Sequence, residues 1–329
     1  MLITTIKEKY NPETALAVLC CRHYIQTVDN DYIRIFIEQN VIDWGKFYQL
    51  SKAHRIVPVC YKVLFKFKDI IGYENLEDLR NYCIYFNAFS LNNKQELNRL
   101  VKLLRQNDIE VKPFKGIDFA ESFYEDIALR DFSDIDIIIK AVDIERLIEV
   151  MTKDGYYSEG IKFYNKFPLQ YIRYYKDIAF IKKNTSGREF LFEFHFKPAV
   201  TYQGYPFSFK EVLGKDYLIE SKKLNATDHL KLMILNNGLM DFYPNLRSVL
   251  DLAVIFKRGE NINPDNFDPL IKRYLNYGRV ISFELLNSPI ILPATILTYK
   301  EVKFCDQLSE HILNIKGRYR MHPLKYILK

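Results

Sequence analysis

The chain has 329 residues, of which 48% are hydrophobic and 27% charged, and its formal net charge is +6. This composition is typical of a soluble folded protein. The five cysteines include no Cys-x-x-Cys pair, which argues against a disulfide framework or a zinc knuckle and fits a reducing cytoplasm. The N-terminus does not resemble a secretory signal, and no apolar run approaches the roughly 18 residues of a membrane span.

Helical patterns fill the first third of the chain. Apolar residues at helical spacing predict helices at residues 11–27, 29–40, 43–52 and 75–107. His54 follows the third of these segments. We interpret it as a helix-end residue that fixes the next turn, with a ligand or acid–base role as the alternative.

A strand predicted at residues 109–114 leads into the turn Lys115-Gly116, which precedes a helix at residues 117–125. Glycine lets the backbone approach a phosphate closely, and the N-terminus of a following helix favours an anion. Lys115 and Gly116 are therefore candidate phosphate-binding residues. A solvated or salt-bridged lysine is the alternative.

The next strand carries two acids on one face. Asp134 and Asp136 alternate with Ile135, Ile137 and Ile139, and alternation of period two is typical of a strand. Side chains two residues apart share a face, about 6–7 Å from each other, so the acids project together while the isoleucines face a core. Two bare carboxylates repel, and Mg²⁺ relieves that repulsion. The alternative is an exposed edge strand with two solvated acids.

A hairpin further along supplies a third acid. Strand patterns at residues 156–164 and 171–182 lead to a turn at residues 184–187. In the second arm, four phenylalanines share one face, whereas Glu193 and His195 share the other. Glu193 can therefore add a carboxylate from a neighbouring strand.

Helical patterns return after residue 225, with a clear helix at residues 245–257 and prolines that shorten the later ones. The predicted architecture is α+β. An N-terminal helical region at residues 1–107 and a C-terminal helical region at residues 201–329 flank a small mixed sheet with helices at residues 108–200.

The order of these motifs resembles the bacterial "uncharacterised nucleotidyltransferase" family of the polymerase-β-like nucleotidyltransferase superfamily. The resemblance rests on these elements in order: Lys115-Gly116, Tyr124, Arg130-x-x-x-Asp134-x-Asp136 and Glu193-x-His195. Flanking segments extend it: Asp43-Trp44, Ala53 to Pro58, Leu246-Arg247 and Asp251 to Ala253. The family usually has this Lys-Gly pair where the wider superfamily has Gly-Gly or Gly-Ser.

The resemblance implies a nucleotidyltransferase-type core and an Mg²⁺-dependent transfer of an NMP group from an NTP to a hydroxyl of an unknown acceptor. In this reaction the protein mainly supplies positioning and charge neutralisation. Two Mg²⁺ ions are expected, with Mn²⁺ as an alternative. The acceptor is a small molecule, an RNA or a protein, and the base of the NTP is left open.

The resemblance also implies roles for individual residues. Asp134, Asp136 and Glu193 would be the catalytic and metal-binding residues. The expected nucleotide-binding residues are Lys115, Gly116, Arg130 and Ser133. His195 would orient the acceptor or hydrogen-bond to Glu193, and both roles stay open.

Two other functions are compatible with the sequence. The first is a catalytically silent nucleotide-binding or scaffold protein with the same fold. The second is a nucleic-acid-binding effector that uses its basic C-terminal tail, because five of the six net positive charges lie after Glu310. A solubilising, partly frayed C-terminus is the simpler explanation of that tail.

Overall fold

A computed structural model of the chain describes residues 1–183, 189–200, 208–219, 223–258, 262–288 and 297–314. It confirms the α+β class, with a four-stranded mixed sheet and helical flanks. The chain divides into two compact units. The first contains Met1–Phe86, Ala128–Asp131 and Asn237–Lys329, and the second contains Asn87–Ile127 and Phe132–Asn236. The predicted division of the chain into three consecutive regions stays a prediction.

The first unit is helical where it is described. Its helices are α1 (Ile3–Lys9), α2 (Pro12–Tyr24), α3 (Asn30–Glu38), α4 (Trp44–Ala53), α5 (Val57–Leu64), α6 (Lys68–Ile71), the start of α7 (Glu77–Gln106), α14 (Leu246–Lys257), α15 (Pro269–Leu286) and α16 (Tyr299–Leu313). Helix α2 lies at its centre, with every residue from Ala15 to Cys21 fully buried. Side-chain caps fix several helix starts, as where Asn11 accepts a hydrogen bond from the Thr14 amide at 2.7 Å.

The second unit contains the sheet. Strands β1 (Lys112–Phe114), β2 (Ile135–Ile138), β3 (Asp177–Lys183) and β4 (Glu189–His195) are arranged in the order β1-β2-β4-β3. Strand β2 is antiparallel to β1 and parallel to β4, and β3 is antiparallel to β4. On one face Ile135 lies beside Phe192 and Ile137 beside Phe194, and all four side chains are buried. The predicted apolar face of both strands is therefore confirmed.

Helices surround this sheet within the second unit. They are the end of α7, α8 (Gly116–Phe123), α9 (Ile144–Lys153), α10 (Gly160–Lys166), α11 (Pro168–Tyr174), α12 (Phe209–Leu213) and α13 (Ala226–Met233). A π-helical segment, Ile234–Met240, follows α13. Within the described ranges, no helix combines the length and the low charge that crossing a membrane requires.

The strand predicted at residues 156–164 is wrong, and the one predicted at residues 171–182 is right only in its second half, because α10 and α11 occupy most of residues 160–174 and β3 begins at Asp177. Pro168 begins α11, where its missing amide proton costs nothing. The buried rings of Tyr164 and Tyr171 contact each other with centroids 5.7 Å apart. The aromatic pattern thus reflects packing between two short helices instead of a strand face. The predicted turn at residues 184–187 lies outside the described residues.

Candidate active site

The core of the site is a pair of acids on neighbouring parallel strands. Asp136 on β2 lies directly beside Glu193 on β4, and residues paired in this way project from the same face of a sheet. Asp136 is buried, whereas the side chain of Glu193 keeps 26% of its surface exposed. The structure therefore brings together two of the three acids that the sequence singles out.

His195 completes this group from the same face of β4. Its Nε2 atom lies 2.8 Å from Asp136 Oδ1 and 3.4 Å from Glu193 Oε2. Potential ligand atoms of Asp136, Glu193 and His195 all lie within 4.8 Å of one another. Two carboxylates and an imidazole are donors that suit a divalent cation. The donor set of this chain therefore fits a metal ion.

The start of strand β3 and the residue before it add two residues that sequence reasoning missed. Asp177 lies opposite His195, and its Oδ2 atom is 3.7 Å from His195 Nδ1. Lys176 Nζ lies 2.9 Å from the same carboxylate oxygen. Burial alone would raise the pKa of Asp177, but His195 and Lys176 outweigh it and hold that pKa below its ordinary value.

Lys115 places a positive charge beside Asp136. Its Nζ atom lies 2.8 Å from Asp136 Oδ1, so Lys115 forms a salt bridge in this structure. Burial would raise the pKa of Asp136, but Lys115 and then His195 reverse that effect and hold the pKa well below its usual range. Asp136 is therefore ionised at neutral pH.

The turn that presents Lys115 is conformationally demanding. Lys115 has φ 53° and ψ −149°, a region that is sparsely populated by residues other than glycine. Gly116 follows with φ 31°, and a Cβ atom there would lie 3.2 Å from the Asp134 carbonyl oxygen. The glycine thus allows the turn before α8 to approach the start of β2 closely.

Asp134 and Ser133 lie just before β2. Ser133 is exposed and Asp134 is half-buried, and the Ser133 hydroxyl lies 3.4 Å from Asp134 Oδ1. Asp134 does not belong to the group formed by Asp136, Glu193 and His195. The structure therefore brings together one acid of the Asp-x-Asp pair with Glu193, and it adds His195 where three carboxylates were expected.

Arg130 belongs to the first unit and is buried there. Its Nε and Nη2 atoms each donate to a carboxylate oxygen of Asp251 on α14 at 2.9 Å. This two-point ion pair holds a planar guanidinium in a fixed orientation. Arg130 thus has a structural partner within its own unit.

The neighbouring Asp131 anchors another part of the first unit. Its carboxylate accepts hydrogen bonds from Arg55 Nε at 3.1 Å and from the Tyr82 hydroxyl. Its carbonyl oxygen accepts a hydrogen bond from Arg247 Nη1 at 2.8 Å. Residues 128–131 therefore contribute two consecutive charged residues, Arg130 and Asp131, to the packing of helices.

His54 is a structural residue, as its position at a helix end indicates. It follows the last residue of α4 and is fully buried. Its Nδ1 accepts a hydrogen bond from the Leu246 amide at 3.3 Å, and its carbonyl oxygen accepts one from the Arg247 amide. Burial lowers the pKa of His54 to about 3, so the ring is neutral.

The fold and the site define a protein that carries two acids and a histidine on one face of a small mixed sheet. Residues 40–278 match the model of a family described as uncharacterised nucleotidyltransferase. The match covers well over half of the chain, and the chain therefore belongs to this family. Membership makes it an enzyme that transfers phosphorus-containing groups. No curated protein matches the chain, and no solved structure does.

Proposed function

We propose that the protein is an Mg²⁺-dependent enzyme that moves an NMP group from an NTP to a hydroxyl of an acceptor. The observation that carries this proposal is the placement of Asp136 beside Glu193 on parallel strands, with Lys115 Nζ 2.8 Å from Asp136. Family membership supports the reaction class. In this proposal the acids would hold divalent ions, and the lysine in the turn after β1 would contact the triphosphate.

The reaction exchanges one phosphorus–oxygen bond for another. The acceptor oxygen forms a bond to the α-phosphorus, the bond from that phosphorus to the bridging oxygen breaks, and pyrophosphate leaves with the electron pair. The hydroxyl proton needs an acceptor. Glu193 is suited to this role or to holding a metal ion near the acceptor, because its carboxylate is half-exposed beside Asp136.

Asp136, Glu193 and Asp134 are the proposed metal-binding acids, with two Mg²⁺ ions as the proposed number. When bound, such ions neutralise phosphate charge and activate the attacking hydroxyl. Asp134 precedes β2 by one residue, and its carbonyl oxygen lies near the Gly116 turn. Its proposed role therefore requires its carboxylate to approach the Asp136–Glu193 pair when metal and nucleotide bind.

Lys115 is the proposed triphosphate ligand. Without a metal it neutralises Asp136, and a divalent ion at Asp136 would compete for the same oxygen. Release of the lysine would then leave its charge available to phosphate. Gly116 follows Lys115 in the chain and Ser133 directly precedes Asp134, and both are proposed to lie close to the phosphates.

Phosphate binding by Arg130 stays a prediction. Its guanidinium forms an ion pair with Asp251, so a phosphate contact has to coexist with that pair or replace it. Binding of nucleic acid through the basic tail also stays a prediction, because residues 315–329 lie outside the described part of the chain.

Thermal denaturation with Mg²⁺ and each of the four NTPs tests the proposed binding step. A ligand that binds only the folded state stabilises it by about 2.7 kcal/mol at one hundred times its Kd. We expect at least one NTP to stabilise the unmodified protein and the exposed-surface control Asp216→Asn. The shift should be lost in Asp134→Asn and Asp136→Asn. Equal shifts in all four proteins would refute the assignment of the acids.

A further inference from the structure

The imidazole of His195 lies between carboxylates on both sides. Nε2 faces Asp136 at 2.8 Å and Glu193 at 3.4 Å, whereas Nδ1 faces Asp177 at 3.7 Å. A neutral imidazole carries one proton, so only one of its nitrogens can donate at a time. The carboxylate that accepts a hydrogen bond from this N–H group determines which ring nitrogen carries the proton, and the other nitrogen then keeps its lone pair for a ligand.

The surroundings of His195 fix the plane of its ring. The side chain is buried, and the Phe114 ring packs against it edge-on, with centroids 5.1 Å apart and an interplanar angle of 89°. Asp177 is held in turn by Lys176 Nζ at 2.9 Å. The Lys176 carbonyl oxygen accepts hydrogen bonds from the Phe196 and Lys197 amides at 2.9 and 3.1 Å. The backbone that positions Lys176 and Asp177 is therefore tied to the end of β4.

We propose that Asp177 is a positioning residue that keeps the proton on Nδ1 of His195, so that Nε2 binds a divalent cation together with Asp136 and Glu193. Histidines that bind metals usually donate their other ring nitrogen to a carboxylate or carbonyl group. Asp177 Oδ2 lies 3.7 Å from Nδ1, beyond hydrogen-bond distance, so the proposal requires this carboxylate to move closer to Nδ1 when the cation binds. This inference rests on the proposed function for the role of the metal.

A nitrogen ligand determines which cation this site prefers. Mg²⁺ favours oxygen ligands only, whereas Mn²⁺ accepts carboxylates and is bound by imidazole more readily than Mg²⁺. The site formed by Asp136, Glu193 and His195 therefore favours Mn²⁺ over Mg²⁺. This preference would not arise if His195 only held Asp136 by a hydrogen bond.

Pulsed electron paramagnetic resonance of Mn²⁺ bound to the full chain tests the nitrogen ligand directly. With Mn²⁺ alone as the probe, we expect modulation from a ¹⁴N nucleus in the unmodified protein. It should disappear in His195→Gln and persist in the control Asp216→Ala. Bound Mn²⁺ without nitrogen modulation in the unmodified protein, or absence of Mn²⁺ binding at millimolar concentration, would overturn the proposal.

Calorimetric titration tests the role of Asp177. Loss of a carboxylate that orients a metal-bound histidine typically weakens metal affinity about 10- to 100-fold. We expect that loss for Mn²⁺ in Asp177→Ala, a partial recovery in Asp177→Asn, which keeps an acceptor oxygen, and no change in Asp216→Ala. The ratio of Mn²⁺ to Mg²⁺ affinity should fall in Asp177→Ala. An unchanged ratio in both Asp177 variants, with folding intact by circular dichroism, would overturn the positioning role.

The two proposals fail separately in these experiments. Nitrogen-coordinated Mn²⁺ in a protein that transfers no nucleotide would refute the proposed function and leave this inference standing. Nucleotide transfer by a protein whose bound Mn²⁺ lacks a nitrogen ligand would refute this inference alone.

Discussion

Lys115 and the buried Asp136 form an ion pair at the position where a metal ion would compete with the lysine. Lys115 Nζ and His195 Nε2 both lie 2.8 Å from Asp136 Oδ1, and the ammonium group of Lys115 offsets the charge of the carboxylate. The sequence predicts that the carboxylates of Asp134 and Asp136 repel each other. The lysine beside Asp136 weakens any such repulsion. Removal of Lys115 should leave the buried carboxylate without that positively charged partner.

Lys115→Ala should accordingly make the stability of the protein depend on metal. Without metal we expect a loss of about 1–3 kcal/mol, because the lysine is a charged partner of a buried acid but is itself partly exposed. Metal affinity should rise, since the competing cation is gone, while NTP affinity should fall. Urea unfolding with and without Mn²⁺, and NTP titration, measure these changes.

The exposed-lysine variant Lys215→Ala is a suitable control, because Lys215 lies on the surface of the same unit. It should change neither stability nor NTP affinity. A Lys115→Ala protein that loses stability equally with and without metal, and binds NTP normally, would show that Lys115 has a purely structural role.

His54 gives a prediction about pH. The unfolded residue binds a proton below its ordinary pKa of about 6.5, whereas the buried residue has a pKa of about 3. Between these values the unfolded state binds more protons, so stability falls as the pH falls, by up to about 1.4 kcal/mol per pH unit. In His54→Gln, the contribution of His54 to the pH dependence of the unfolding free energy between pH 6.5 and 4 should vanish.

Urea unfolding at several pH values measures that slope. His54→Gln should be less stable than the unmodified protein at pH 7, because the Leu246 amide loses its acceptor. The difference between the two proteins should shrink as the pH falls. Parallel pH profiles would mean that His54 is protonated in the folded state.

Period-two alternation predicts which strand face some site residues occupy, but it does not predict the partners of others. It predicts that Asp136 shares a face with Asp134 and that Glu193 shares one with His195, and the paired strands then bring Asp136 beside Glu193. The partner of Arg130 could not be predicted, because Asp251 lies 121 residues further along the chain. Local patterns contain no information about such contacts.

At the scale of elements, the ion pair between Arg130 and Asp251 connects the segment Ala128–Asp131 to α14. Arg130→Met should destabilise the protein by about 3–5 kcal/mol, because it removes the two-point, positively charged partner of a fully buried carboxylate. The double variant Arg130→Met/Asp251→Leu should recover most of that loss. Chemical denaturation of both variants and of Asp251→Leu provides the measurement.

The same variants test whether Arg130 binds phosphate. If it does, the double variant should recover stability without recovering NTP affinity. Normal NTP affinity in the double variant would assign Arg130 to the structure of the first unit alone.

The strand β3 shows why register is harder to predict than strand identity. The hairpin that carries Glu193 was predicted from its turn and its aromatic face, but the position opposite His195 depends on the length of the connection. Asp177 lies there, and a shift of one residue would place its side chain on the other face. Asp177 was therefore missed as a neighbour of the site, although its strand was recognised in part.

At the scale of the whole molecule, the sequence predicts a mixed sheet with helical flanks but not the grouping of segments. Helical, mixed and helical regions follow one another as the sequence indicates. Contacts instead group residues 1–86, 128–131 and 237–329 into one unit. The four residues 128–131 belong to the first unit through the ion pairs of Arg130 and Asp131. Neither the composition nor the periodicity of the sequence predicts that this segment belongs there.

The central claim is that this chain transfers a nucleotidyl group, and labelled NTPs test it most directly. The protein is incubated with Mg²⁺ or Mn²⁺, a lysate of its source organism, and each NTP labelled with ³²P at either the α- or the γ-phosphate. We predict that the α-label of at least one NTP enters an acceptor while the γ-label leaves as pyrophosphate, and that Asp136→Asn abolishes the transfer. Transfer of the γ-label, or no transfer from any α-labelled NTP, would contradict the account.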